Sequence, residues 1–170
     1  MSKQLAILLI SLACLVFAAC TVPVPSGFTE PAAASGGEVG FDLAGPGGAA
    51  IVVPVQINNE GPFNFVVDTG ATLTCVDQEI AKRLNLPEQR GVAGIGASIK
   101  SQGNMQLLKV DSLQVGTAKA TNMTACTVDL QHIRAIGLEA QGLLGLNFLK
   151  SYRVTIDFQS KVLQLQSPAP

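Results

Sequence analysis

Tryptophan is absent, tyrosine and histidine occur once each, and only 14% of the residues are charged. A single histidine, His132, leaves little for a zinc site to draw on. A Ser-His-Asp or Cys-His enzyme would have to be built around that one imidazole. It sits in Leu130-Gln131-His132-Ile133-Arg134 with no GxSxG nearby, and reads as a surface or capping residue. No glycine-rich loop joins a strand to a helix in the manner of a phosphate cradle. The net charge is -1 and no basic cluster occurs, which argues against nucleic-acid binding. No apolar run reaches the roughly 20 residues of a spanning helix. Internal repeats are missing as well. No metal or cofactor is expected.

What is there begins with an export signal. Lys3 precedes an apolar run from Leu5 to Val16, followed by Phe17-Ala18-Ala19-Cys20. Cys20 after two small residues resembles the lipidation site of bacterial lipoproteins, although Phe17 replaces the usual Leu. Ordinary cleavage and an uncleaved anchor stay open beside the favoured lipidation. Thr21 after Cys20 resembles lipoproteins sent to the outer membrane of Gram-negative bacteria. The expected localisation is the cell envelope, lipid-anchored, or otherwise the periplasm. Residues 21–47 are rich in Pro, Ala, Gly and Ser and read as a flexible tether. The layout is therefore a signal over 1–20, a tether over 21–47 and a domain over 48–168 that can bury one modest core.

Within the domain the signals are mostly β. Ile51, Val53, Val55 and Ile57 alternate with Val52, Pro54 and Gln56, and Pro54 predicts an edge strand. Asn58 to Pro62 reads as a turn, Asp77 as the cap of a short helix closed by Pro87, and 107–115 and 123–128 as strands. The segment from Tyr152 to Leu165 reads as a terminal hairpin.

Residues 63–72, FNFVVDTGAT, form an apolar strand that ends by presenting the Asp68 carboxylate on a tight turn with Thr69, Gly70 and Ala71. Alone, this fits a strand ending in a turn in which Asp68 bonds its own backbone. Hydrolysis without a covalent intermediate needs an activated water and an acid. Two facing carboxylates that share one proton supply both, so one Asp calls for a second. Two further segments follow. Gly94-Ile95-Gly96, a little under 30 residues after Asp68, reads as the tip of a hairpin. Gly142-Leu143-Leu144-Gly145-Leu146-Asn147 is apolar and bracketed by glycines.

In this order the three segments resemble the retropepsin-like aspartic proteases, over roughly residues 46–168. The resemblance implies an all-β closed barrel with one or two short helices, and an endopeptidase acting on peptide or unfolded protein. It implies Asp68 as the catalytic residue, one from each subunit of a homodimer, and Thr69, Gly70 and Ala71 as loop support. Gly94, Ile95 and Gly96 become a substrate-binding flap. Gly142, Leu143, Leu144, Gly145 and Asn147 become the second motif beneath the catalytic loop. Viral members carry an ion pair where this chain has Thr72 and Leu146, so the dimer is expected to be built differently. The alternative is an inactive, tethered peptide-binding or assembly module. The resemblance also places the segments of Cys75 and Cys126 side by side. In an oxidising compartment these two form a disulfide or stay as separately buried thiols.

Overall fold

The computed structural model describes residues 32–89 and 105–167. Eleven strands are described, with three short α-helices and a 3-10 turn over Pro46–Gly48. The first three strands are β1 (Ala32–Ser35), β2 (Gly37–Gly40) and β3 (Asp42–Ala44). Then come β4 (Ala50–Ile57), β5 (Glu60–Val67), β6 (Cys75–Asp77), α1 (Gln78–Arg83), β7 (Leu107–Val115) and β8 (Ala118–Val128). The chain continues through α2 (Gln131–Arg134), β9 (Gly142–Leu144), α3 (Leu146–Leu149), β10 (Arg153–Asp157) and β11 (Val162–Gln166). No helix of the described residues is long and apolar enough to cross a membrane.

Six strands close on themselves. The order β8-β6-β9-β5-β4 is completed by β7, which pairs with both β4 and β8. The period-two pattern of β4 explains the inside of this barrel. Val53, Val55 and Ile57 are fully buried while Pro54 and Gln56 face out. Phe65, Val110, Leu113, Leu144 and Phe148 join them in one core. A smaller cluster, Val52, Leu130, Leu138 and Ala140, lies under the segment carrying α2. An ion pair pins that segment: Arg134 Nη1 meets Asp77 Oδ2 at 3.1 Å, and the Asp77 side chain is only 3% exposed. Asp77 also caps α1, accepting from Glu79 N at 3.0 Å, so the expected helix cap is present.

Three expectations need correction. Residues 32–44, assigned to the tether on composition, form β1 against β8, β2 against β11 and β3 against β4. Backbone hydrogen bonds to existing strands order a segment whose own side chains would not. Pro54 does not mark an edge, because β4 is paired on both sides. Its missing donor is tolerated locally. On one flank β3 partners Ala50 to Val52 and β7 takes over at Val55, so Pro54 falls in the gap. The turn between β4 and β5 is also shorter than expected. Only Asn58 and Asn59 form it, both with positive φ (52° and 65°), as a two-residue hairpin requires.

The terminal hairpin is present, β10 against β11 without a bulge. Tyr152, just before it, donates from its hydroxyl to Lys119 O at 3.1 Å, and burial pushes its phenol upward. The turn is closed by Asp157, whose Oδ1 accepts from Gln159 N at 2.9 Å and Ser160 N at 3.1 Å. The Ser160 hydroxyl and then these two amides hold its carboxyl below the ordinary carboxylate range. A lowered folded pKa stabilises the fold above the unfolded value, and that contribution is lost as pH falls through the folded one. Asp157→Ala should therefore lower the thermal midpoint near neutral pH, with the gap to the parent closing in strong acid. A gap that stays constant down to strong acid would show that the charge is irrelevant.

Candidate active site

The Asp68 loop is held from three directions. β5 and β9 run parallel, with Val67 beside Leu144, and Asp68 N donates to Leu144 O at 3.0 Å. The half-buried carboxylate thus emerges where two strands of the barrel end together. Its Oδ1 accepts from Gly70 N at 2.8 Å, and Ala71 N donates to Asp68 O at 3.3 Å. The local turn anticipated from Asp-Thr-Gly is therefore present. Gly70 keeps the turn close to the carboxylate: an added Cβ would sit a tight 3.2 Å from Asp68 Oδ1.

The second motif passes against this loop. Leu146 N donates to Ala71 O at 2.8 Å, and Asn147 N to Thr72 O at 3.1 Å. Gly145 has no room for a side chain, since a Cβ would enter the backbone of Leu73 and Thr74. At Gly142 a Cβ would meet the Phe65 ring and Cys75 O. Asn147 joins three segments. Its Oδ1 accepts from Thr74 N at 2.7 Å and its Nδ2 donates to Thr124 O at 2.8 Å. A four-residue helix has no stability of its own, so these bonds and the buried Phe148 and Leu149 hold α3 in place.

Thr74 was not singled out from the sequence. It is fully buried, and its Oγ1 accepts from Gly145 N at 3.1 Å, tying the loop to the second motif. The available signal was a hydroxyl between Leu73 and Cys75, an inward position where a polar group needs a partner. Cys75 and Cys126 are register partners on β6 and β8 and are joined as a disulfide, with Cα atoms 4.4 Å apart. The bridge starts one residue beyond Thr74.

Thr69, Gly70 and Thr72 are exposed, and so is Leu146 at 39%. A cleft of about 970 Å³ lies between α1 and β7, and Asp68 does not line it. Asp68 is half-buried, and among the described residues no second carboxylate is bonded to it. Among the same residues no cluster of metal-ligating side chains occurs. Gly94, Ile95 and Gly96, and Cys20, lie outside the described residues.

Residues 53–148 match the family model described as aspartyl protease. No curated protein matches the chain significantly. Among solved structures the chain is similar to a retropepsin-like aspartic protease from Rickettsia conorii, at 20% identity and a TM-score of 0.52. That match covers 81% of this chain and 98% of the other, and shows the fold. The retroviral protease-like domain of Ddi1 from Leishmania major gives 14% identity and a TM-score of 0.44, over 69% of this chain and 93% of that one.

Proposed function

Because this chain belongs to the aspartyl protease family, we propose that it is an aspartic endopeptidase whose site forms between two copies. One observation carries the reading: a single half-buried Asp68 on a loop braced by the second motif, with Thr69 and Gly70 exposed beside it. Two such loops face to face bring two carboxylates within reach of one water. One carboxylate takes a proton from the water as it attacks the peptide carbonyl. The other gives its proton to the carbonyl oxygen; as the C–N bond breaks, the first gives its proton to the leaving nitrogen and the other takes one back from a hydroxyl of the diol, which restores the pair. Thr69 is exposed, and its hydroxyl would bond across to the facing loop. The flap containing Gly94, Ile95 and Gly96 would hold an extended peptide as an added strand.

The test is the dependence of rate on protein concentration. Cleavage of a peptide library member should fall faster than linearly on dilution, because a lone chain carries half a site. It should also favour mildly acid solution, where a carboxylate pair holds one proton. A verified monomer that cleaves with a rate linear in protein would overturn the shared site. A folded dimer that cleaves nothing and ignores peptide-isostere inhibitors would favour the tethered binding module, which the uncharged Thr72 and Leu146 leave room for.

Lipidation of Cys20 would place this domain in the cell envelope. Cys20→Ser should move the protein from the membrane fraction to the soluble one with its domain unchanged. Undiminished membrane retention would point to an uncleaved apolar anchor.

A further inference from the structure

We infer that Arg134 is a positioning residue: through its ion pair with Asp77 it holds residues 129–141 as a side wall of the peptide groove, and so sets which side chain the site accepts beside the scissile bond. The inference rests on the peptidase reading above and gives that reading a specificity element. Side chains two apart share one face of a strand, so Val66 lies on the face of β5 from which Asp68 emerges. Leu143 is its register partner on β9. Both are half-buried, and both pack against the cluster of Leu130 and Leu138, not against the barrel core. Ile133, half-buried as well, packs on the same cluster. An extended peptide laid across Asp68 therefore meets an apolar floor, Val66 and Leu143, bounded by the segment that carries α2.

That segment cannot hold its own position. α2 has four residues, too few for a helix to be stable alone. The far end is fixed by Gln141, whose N donates to Asn64 O at 2.7 Å and whose Oε1 accepts from Asn64 N at 2.9 Å. The middle is fixed by Arg134 on Asp77 at 3.1 Å. The two side chains are only 26% and 3% exposed, and truncating one partner of such a pair leaves the other charge uncompensated. Glu79 and Glu139 line the same cavity of about 330 Å³, so more than one carboxylate favours a cation at this place. Asp77 ends β6, the strand that leaves the Asp68 loop, and β6 pairs with β9 at Leu143. The ion pair thus ties the wall to the elements that position Asp68 and the apolar floor.

The experiment uses the full chain in detergent and two peptides that differ only in Leu or Ala beside the scissile bond. The parent should separate them by about tenfold or more in kcat/KM, as a shaped apolar subsite does. Arg134→Ala should shrink that ratio to within about threefold, chiefly by moving KM. Arg134→Lys keeps the charge and should recover most of the ratio. A purely structural role would lower both rates together through the folded fraction and leave the ratio where it was. Ile133→Ala alters the wall with the ion pair intact and should shrink the ratio too, which decides the matter if Arg134→Ala does not fold. A parent that does not separate the two peptides, or a ratio unmoved in Ile133→Ala and in folded Arg134→Ala, overturns the wall while the peptidase reading stands. A parent that cleaves neither peptide removes the peptidase reading. The wall is then read from the affinities of non-cleavable isosteres of the two peptides: a ratio that collapses in the variants upholds it, and a ratio that does not overturns it.

Discussion

Asp68→Asn is expected to abolish peptide cleavage while leaving the fold intact. The change removes one ionisable group and almost no volume. The asparagine carbonyl can keep the bond that Asp68 Oδ1 accepts from Gly70 N, and the backbone bond from Asp68 N to Leu144 O does not involve the side chain. Stability should therefore move by no more than about 0.5 kcal/mol, as for a substitution that breaks no packed contact. Catalysis has no such substitute. A pair of amides can neither take a proton from water nor give one to the carbonyl, and a positioned acid–base group contributes about 10²–10⁴-fold. A loss of about 10³-fold or more is the expected reading, since both copies change together. Folded Asp68→Asn protein that cleaves at a rate comparable to the parent would sink the mechanism, whatever the oligomeric state.

Much of this site is legible in the sequence because its chemistry demands particular residues in a short space. Asp68-Thr69-Gly70 and the Gly142–Gly145 segment are local patterns. Gly142 and Gly145 stand where a Cβ would strike the Phe65 ring or the Leu73 backbone, and Gly70 where one would crowd Asp68 Oδ1. What brings them together is less legible. The bond from Gly145 N to Thr74 Oγ1 spans 71 residues, and nothing local to Thr74 announces it. Composition also misled the reading of residues 32–44. Their Gly, Ala and Ser content is that of a tether, yet β1 and β2 pair with β8 and β11 far along the chain, and β3 pairs with neighbouring β4. Pro54 shows the same limit from the other side. A local rule about proline predicts an edge, but only the long-range handover from β3 to β7 reveals the gap that accommodates it. Patterns of period two survive this test best. Val53, Val55 and Ile57 are buried as their alternation requires, because one wrong register would expose all three.

Removing the bridge between Cys75 and Cys126 should have the largest effect on stability. The two cysteines are 51 residues apart in sequence, and the bond closes that loop in the unfolded chain as well as the folded one. By the chain-entropy model such a loop contributes about 4 kcal/mol, a large part of the roughly 5–15 kcal/mol that holds a typical domain together. Both sulfurs belong to buried residues, Cys75 at 7% and Cys126 at 1% exposure, so the Cys75→Ala/Cys126→Ala pair leaves an apolar site and no stranded polar group. Chemical denaturation should show a lower midpoint for the double variant, and reductant should bring the parent towards it while leaving the variant unmoved. The active-site loop keeps its own ties without the bridge. Cys126 N still donates to Thr74 O at 3.0 Å, and Asn147 Oδ1 still accepts from Thr74 N. The deficit should accordingly fall on unfolding, with the cleavage rate per folded molecule little changed. Equal midpoints for parent and double variant, with and without reductant, would show that the bridge adds nothing beyond the β6–β8 pairing it spans.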